Sequence, residues 1–390
     1  MASRPRLKSV VVQYRDGQVV IWPRALQRMF MDDPAGHIAA LLRILADGGC
    51  EATQLPAEMA RRGHPVTAGD ITSVLGSLDE LGVLEEAGGD EILAPATRDR
   101  HQSNLRYYDL FARLGQTSAS FHQAIERSRV LLLGAGGLGA GILQSLAGLG
   151  VGEVTLVDFD TVETRNLARQ FVYGTDAIGR PKVLAARDWA RAYSPGTLVR
   201  PVHRRVTDAA GIAELAGAAA GQAGADVVVC AIDSPDDIHL LVNEACCGLG
   251  IPFVAGGLTY STLSYWSVRP GRTPCRLCLE LHREDEREAM PAVLREPPLI
   301  EPSPVNRATG PVVQLICGLM ALEVMRYLTR TDPPVAAATY QVIELADGLE
   351  TSRAPWARHP ACPLCAAAGR PAPEPGAGAG TLLAAGRAGR

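Results

Sequence analysis

Three groups of residues in this chain have the types and spacings that chemistry requires. The first is GAGGLG at residues 134–139, a G-x-G-x-x-G run between a strand and a helix. Gly134 permits the tight turn, Gly136 lets the backbone approach a phosphate, and Gly139 lets helix and sheet pack closely. With Gly137 they form the candidate cofactor-binding loop, and the helix that follows offers N–H donors to an anion. Asp158 closes the next strand about 20 residues on, where a carboxylate accepts from a ribose hydroxyl. Taken alone, these residues would serve a nicotinamide dehydrogenase equally well.

The second group breaks that tie. DFDTVETRNLARQ (158–170) gathers Asp158, Asp160, Asn166, Arg169 and Gln170 into one loop, and Lys182 follows in GRPK. Two cations directed at the first crossover suit the β- and γ-phosphates of a nucleoside triphosphate and have no task in a dehydrogenase. Asp233 ends the apolar run VVVCAID, in the crevice where open sheets bind ligands. It is a candidate Mg²⁺ ligand beside phosphate oxygens. Its other reading is an N-cap for the helix of DDIHLLVNEAC; the company of Lys182 and Arg169 places the metal reading first.

The third group is a pair of C-x-x-C knuckles, Cys275/Cys278 and Cys362/Cys365. Four thiolates make a closed tetrahedral zinc site. His359 lies near the second pair and reads as a surface histidine rather than a ligand. Cys230, Cys246, Cys247 and Cys317 sit in apolar texture and read as core; Cys50 has no evident partner. Nine unevenly spread cysteines point to a reducing compartment, not a disulfide framework.

The elements that must position these groups are legible from texture. The chain has 390 residues, 47% hydrophobic and 21% charged, which supports a large core and excludes global disorder. A net charge of −4 argues against nucleic acid as a partner. No uninterrupted apolar run of about 18 residues and no secretory start are present, so a cytoplasmic protein without a membrane span is expected. RVLLLG (129–134), EVTLVDFD (153–160), ADVVVCAID (225–233) and PFVAGG (252–257) read as buried strands separated by helices. They predict an α/β fold, a doubly wound Rossmann-like and mostly parallel sheet over residues 128–366. Residues 311–328 read as a long buried helix.

Residues 1–95 read as a small winged-helix-like α+β domain. It has a hairpin around Asp16-Gly17, three helical stretches, and a strand-like return at Val83 and Leu84. Its third helix carries no basic stripe, so DNA binding is not expected. Residues 96–127 read as a polar connector containing Arg100, Arg106, Tyr107 and Tyr108. Residues 367–390, rich in Ala, Gly and Pro, read as a disordered tail.

Taken in order, GAGGLG, VDFDTVETRNLARQ, GRPK and the Asp of CAIDS resemble the adenylating domain of ubiquitin-activating enzymes. Among these the chain is most similar to the bacterial activators of sulfur carriers, the ThiF/MoeB family, over about residues 126–366. The resemblance implies ATP and Mg²⁺ as cofactors: Asp158 on the ribose, Asn166, Arg169, Gln170 and Lys182 on the triphosphate, Asp233 on Mg²⁺. It implies attack of a C-terminal carboxylate on the α-phosphate, giving acyl-AMP and pyrophosphate. Positioning and charge neutralisation then suffice for catalysis. It also implies a zinc ion that ties the chain's end to the sheet, and a homodimer.

The chain departs from the family pattern twice. Residues 280–310 hold no cysteine, so covalent loading of a carrier is not expected. HQSNLRYYDL (101–110) stands where the family has a helix whose arginine reaches the partner subunit's ATP site. Arg106 or Arg100 is the candidate there, with Asp109 at the aligned position. The N-terminal hairpin and three helices also resemble the leader-peptide-recognition module of peptide-maturing enzymes, including microcin C-type adenylyltransferases. Such a module captures an extended leader as an added strand. The expected function is therefore ATP-dependent adenylation of the C-terminal carboxylate of a ribosomally made peptide. The alternatives are a non-catalytic scaffold that delivers a precursor to another enzyme, and an activator of a ubiquitin-like sulfur carrier. The scaffold leaves the phosphate-binding set without a task, and the carrier activator lacks its cysteine.

Overall fold

A computed structural model describes residues 3–217, 224–295 and 308–367. The tail expected to be disordered lies almost wholly outside the described residues. The chain begins with β1 (Pro5–Leu7), β2 (Val11–Arg15), β3 (Gln18–Arg24) and β4 (Gln27–Asp32). Asp16 and Gly17 have φ of 52° and 75°, which matches the twist of a two-residue hairpin, and β2 pairs with β3 from Val11↔Trp22 to Arg15↔Gln18. β4 widens this sheet to the order β2-β3-β4.

Three helices follow: α1 (His37–Asp47), α2 (Leu55–Arg61) and α3 (Ala68–Glu80). α1 ends at Gly48, in left-handed conformation, and α3 opens on a reciprocal cap between Thr67 and Asp70. Val19, Ile21, Leu41, Leu45, Leu55, Met59, Leu75 and Leu78 close a core of their own. The return strand β5 (Leu84–Glu86) pairs with β1, not with the hairpin.

The segment expected as a polar connector instead forms α4 (Pro95–Arg100), α5 (Gln102–Tyr108) and α6 (Ser118–Glu126). Leu105, Tyr108, Phe121 and Ile125 are buried in the core of the large sheet. The buried Lys8 Nζ donates to the carbonyls of Gly82 and Ala112, at 2.8 and 2.7 Å, and so stitches the N-terminal region to this segment.

The large sheet begins with β6 (Arg129–Leu133), α7 (Gly137–Leu149), β7 (Glu153–Asp158), α8 (Lys182–Tyr193) and β8 (Leu198–His203). The chain then returns through α9 (Ala209–Ala216) to β9 (Val227–Cys230), α10 (Ile238–Leu249), β10 (Phe253–Thr259) and β11 (Thr262–Val268). It finishes with α11 (Arg276–Ala289), α12 (Ala292–Arg295), α13 (Gly310–Thr329), β12 (Thr339–Glu344), β13 (Glu350–Pro355) and α14 (Pro363–Ala367). The strand order is β13-β12-β11-β10-β9-β6-β7-β8. β8, β7, β6, β9 and β10 are mutually parallel, and β11 to β13 add on antiparallel.

Both faces of the sheet are covered. Residues of α7, α8 and α13 share one core with Leu132 and Val154, and residues of α9 and α10 share the other with Leu131 and Val228. This is why β6 and β9 are apolar without alternation. α13 is long and apolar enough to cross a membrane by length and composition, but Val313, Ile316, Cys317 and Met320 pack inside the molecule. Its buried Glu323 is satisfied by the Ser267 hydroxyl and the Val335 and Ala336 N–H groups, which pins the helix to β11.

Candidate active site and cysteine centre

β6 and β9 are neighbours, yet the chain leaves β6 outward to β8 and returns to β9 on the other side. Crevices at such a reversal, at the C-terminal ends of the strands, are where open α/β sheets take ligands. The glycine loop follows β6 and Asp233 follows β9, so both arrive at one cleft of about 990 Å³.

The glycines divide by role. Gly134 has φ 105°, and a Cβ there would stand 2.6 Å from the Ala231 carbonyl oxygen. A Cβ on Gly139 would stand 1.8 Å from the Gly134 oxygen, so only glycine lets α7 start against the loop. Gly136 and Gly137 line the cleft itself. Asp160, Asn166, Arg169, Gln170, Lys182 and Asp233 line it with them.

Lys182 opens α8 with its side chain 7% exposed, and its Nζ pairs with Asp160 Oδ2 at 2.8 Å. Its own N–H donates to the Asp160 carbonyl, which sets the ammonium at the wall. Asn166 Oδ1 accepts from the Glu163 N–H at 2.9 Å, and this bond shapes the loop that presents Arg169 and Gln170. Gln170 is 3% exposed and its Oε1 has no hydrogen-bond partner among the described residues. Asp233 is exposed, and it is not the cap of α10: Asp237 occupies that position.

Two expected residues stand elsewhere. Asp158 is buried, and its two carboxylate oxygens accept from the N–H groups of Ala135 and Asp160, at 2.7 Å each. It fastens the glycine loop to the end of β7 and does not line the cleft, where Asp160 stands instead. Arg106 is on α5, two-thirds exposed, and pairs with Asp109 at 3.2 Å. Within one chain it does not reach the cleft, and Arg100 donates to the Tyr193 carbonyl.

Sequence reasoning missed the opposite wall. His239, Trp266, Arg276, Arg283 and Tyr340 also line the cleft. Burial, followed by the nearby Arg276 charge, takes His239 down to about 4, so its ring is neutral near pH 7. The signal for Arg276 was available: it is the residue after the first cysteine of C-R-L-C, and Glu280 and Arg283 follow at helical spacing.

The four knuckle cysteines converge. Sγ separations are 3.9 Å for Cys275–Cys278, 3.5 Å for Cys275–Cys362 and 3.4 Å for Cys278–Cys365. Tetrahedral Zn–S bonds of about 2.3 Å place the sulfurs about 3.8 Å apart, so the set fits zinc closely. Cys275 is drawn down to about 4, first by a hydrogen bond with Cys247, while burial pushes Cys362 up to about 11. The Trp356 indole donates to the Cys275 carbonyl at 3.1 Å, and Asn243 Oδ1 accepts from the Arg276 N–H at 2.8 Å, so the knuckle also fixes the start of α11.

Residues 108–364 match the model of the ThiF family. This chain belongs to the ThiF family. The match covers the whole cleft and three of the four cysteines. The enzyme class read from the sequence, adenylyltransferase, is the one its ThiF-family relatives carry. A sulfur carrier protein adenylyltransferase of Thermus thermophilus is 31% identical over 260 residues, 65% of this chain and 87% of that protein. A SAMP-activating enzyme E1 of Haloferax volcanii is 41% identical over 152 residues, 39% of this chain and 53% of that protein. Among solved structures, Escherichia coli MccB with ATP superimposes with a TM-score of 0.70 at 16% identity, covering 93% of this chain and 99% of the other. MccB described as the microcin C7 biosynthetic enzyme, in complex with N-formylated MccA, gives 0.69 at 17%, with the same coverage. These likenesses show that the fold is shared along nearly the whole ThiF-family chain, N-terminal region included.

Proposed function

We propose that this protein uses ATP and Mg²⁺ to adenylate the C-terminal carboxylate of a ribosomally made peptide, releasing pyrophosphate. One observation carries the reading: a single cleft at the strand reversal gathers a glycine loop, Lys182, Arg169, Gln170 and an exposed carboxylate, Asp233. Lys182 and Arg169 would neutralise the triphosphate, the backbone at Gly136 and Gly137 would approach it, and Asp233 would hold Mg²⁺. Asp158 would act on the nucleotide indirectly, through the loop it fastens. The Cys275, Cys278, Cys362 and Cys365 set would hold zinc in a structural role.

The N-terminal region supports a peptide substrate over a carrier protein. Its three-stranded sheet has two open edges, β2 and β4, with Val11, Tyr14 and Phe30 about half exposed or more. An extended leader would add there as a strand. A homodimer would cover the apolar strip of Leu149, Leu315, Leu319 and Leu322 on α7 and α13, which runs beside Asn104 on α5. It would give Arg106 a route to the partner's cleft.

The test is pyrophosphate release and intact-mass detection of the AMP adduct, with a panel of peptides bearing free or amidated C-termini. Turnover is expected only with free carboxylates, and Asp233→Asn should lower it about a hundredfold or more. Phe30→Lys or Val11→Lys should raise the peptide KM and leave ATP affinity unchanged. Turnover of amidated peptides, or full activity of Asp233→Asn, would contradict the reading.

A further inference from the structure

The phosphate-binding residues occupy one wall of the cleft, and the wall built by β11, α11 and β12 has no task in the reading above. Arg276, the first residue of α11, is 7% exposed. Its guanidinium lies 4.9 Å from the Trp266 ring centroid, donates through Nη1 to the Tyr340 hydroxyl and pairs through Nη2 with Glu280. Its Nε has no hydrogen-bond partner among the described residues.

Arg283 lies two helical turns further along the same face. It pairs with the same Glu280 at 3.1 Å, lies 5.5 Å from the Tyr340 ring centroid, and keeps 43% of its side chain exposed. Two guanidiniums thus share one carboxylate, and the cluster retains a surplus positive charge. The neighbouring His239 is neutral near pH 7. Asp233, the other carboxylate nearby, is assigned to Mg²⁺.

We infer that Arg276 and Arg283 form an acyl-substrate subsite that recognises a carboxylate at the substrate's last residue. This rests on the proposed function and deepens it. Planar guanidinium donors suit carboxylate geometry, and the half-buried Tyr340 ring can cover the aliphatic atoms beside it. The exposed Arg283 guanidinium engages one carboxylate oxygen and leaves the other free to approach the α-phosphorus, and Arg276, buried behind it, holds the Glu280 and Tyr340 that both arginines contact. The two arginines are positioning residues in this scheme. The cysteine knuckle sets their place, because Arg276 lies between Cys275 and Cys278. The recognised group is either the main-chain carboxylate or an acidic side chain on the last residue.

Three probes separate these sources: N-acetyl-glycyl-glycine, its C-terminal amide, and N-acetyl-glycyl-aspartyl amide. Each is titrated by ligand-observed NMR into protein saturated with a non-hydrolysable ATP analogue and Mg²⁺. The carboxylate-bearing probe should bind wild type and lose about tenfold in affinity in Arg283→Gln, with ATP-analogue affinity unchanged. Arg276→Lys, which keeps the charge and removes the planar fork that holds Tyr340 and Glu280, should show the same loss at unaltered metal content. Binding of the glycyl-glycine probe alone identifies the main-chain carboxylate; Arg283-dependent binding of the aspartyl amide identifies a side chain. Equal binding of carboxylate and amide, no effect of either variant, or no binding by wild type overturns the subsite. Failure of wild type to bind the ATP analogue would instead overturn the proposed function.

Discussion

Lys182, Arg169 and Gln170 show what residue types alone can convey about this cleft. Charges and amides clustered behind a glycine loop have few uses other than phosphate, and all three line the cleft. Asp158 shows the limit. Asp158 and Asp160 are two residues apart, and sequence does not say which carboxylate fastens the backbone. Here two N–H groups occupy Asp158, and Asp160 meets Lys182. Arg276 was missed because a residue between two cysteine ligands reads as part of the knuckle. Gln170 offers a sharp test. Its Oε1 is buried and unpaired, so Gln170→Leu removes no internal hydrogen bond of that atom. The variant should keep or slightly raise its melting temperature and lose about tenfold in ATP affinity. Unaltered ATP affinity would show that Gln170 is a structural residue.

At the scale of elements, strands with continuous apolar texture were the easiest to read, and β6, β7, β9 and β10 stand within three residues of their expected ends. β1, β4 and the helices α4 to α6 were not read. β1, β4, α4 and α5 contribute few buried side chains among many polar ones, so their periodicity is weak; α5, for example, buries only Leu105 and Tyr108, and α6 mixes buried Ser118 and His122 with its apolar residues. This overlooked layer carries a pH liability. His101 and His122 lie with ring centroids 4.3 Å apart, and His122 is fully buried with no hydrogen bond from either nitrogen. Burial first, then the neighbouring His122, lowers His101 to about 4; burial also lowers His122. Both are neutral in the fold, whereas the unfolded chain takes up protons near pH 6.5. The unfolded state therefore binds more protons between about pH 6.5 and 4, and stability falls as pH falls through that window. For His101 the loss is on the order of 3 kcal/mol. Melting temperature should be level above pH 6.5 and decline below it, with a shallower decline in His122→Leu. A profile as steep in that variant as in wild type would remove His122 from the account.

Across the whole molecule, charge is sorted to the two ends of the parallel strands. The C-terminal ends hold the proposed nucleotide cleft. At the N-terminal ends, Arg127, Arg269, Arg272, Arg326 and Arg330 line a second cleft of about 850 Å³ where α6, α10 and α13 finish. Helix C-termini carry partial negative charge, and arginines there answer it. The cysteine centre joins segments 87 residues apart in sequence, and its existence was legible from spacing alone. What spacing could not show is that the same knuckle aims α11 at the cleft. One zinc ion per chain is expected by elemental analysis, and stripping it should lower the melting temperature. Full stability of a Cys278→Ser variant without zinc would exclude the structural role. The central claim is a working ATP site, and calorimetric titration of Mg²⁺-ATP into wild type and Lys182→Ala tests it most directly. Micromolar binding by folded wild type, abolished in Lys182→Ala, is the expected result. No binding by wild type, or equal binding by both proteins, would contradict it.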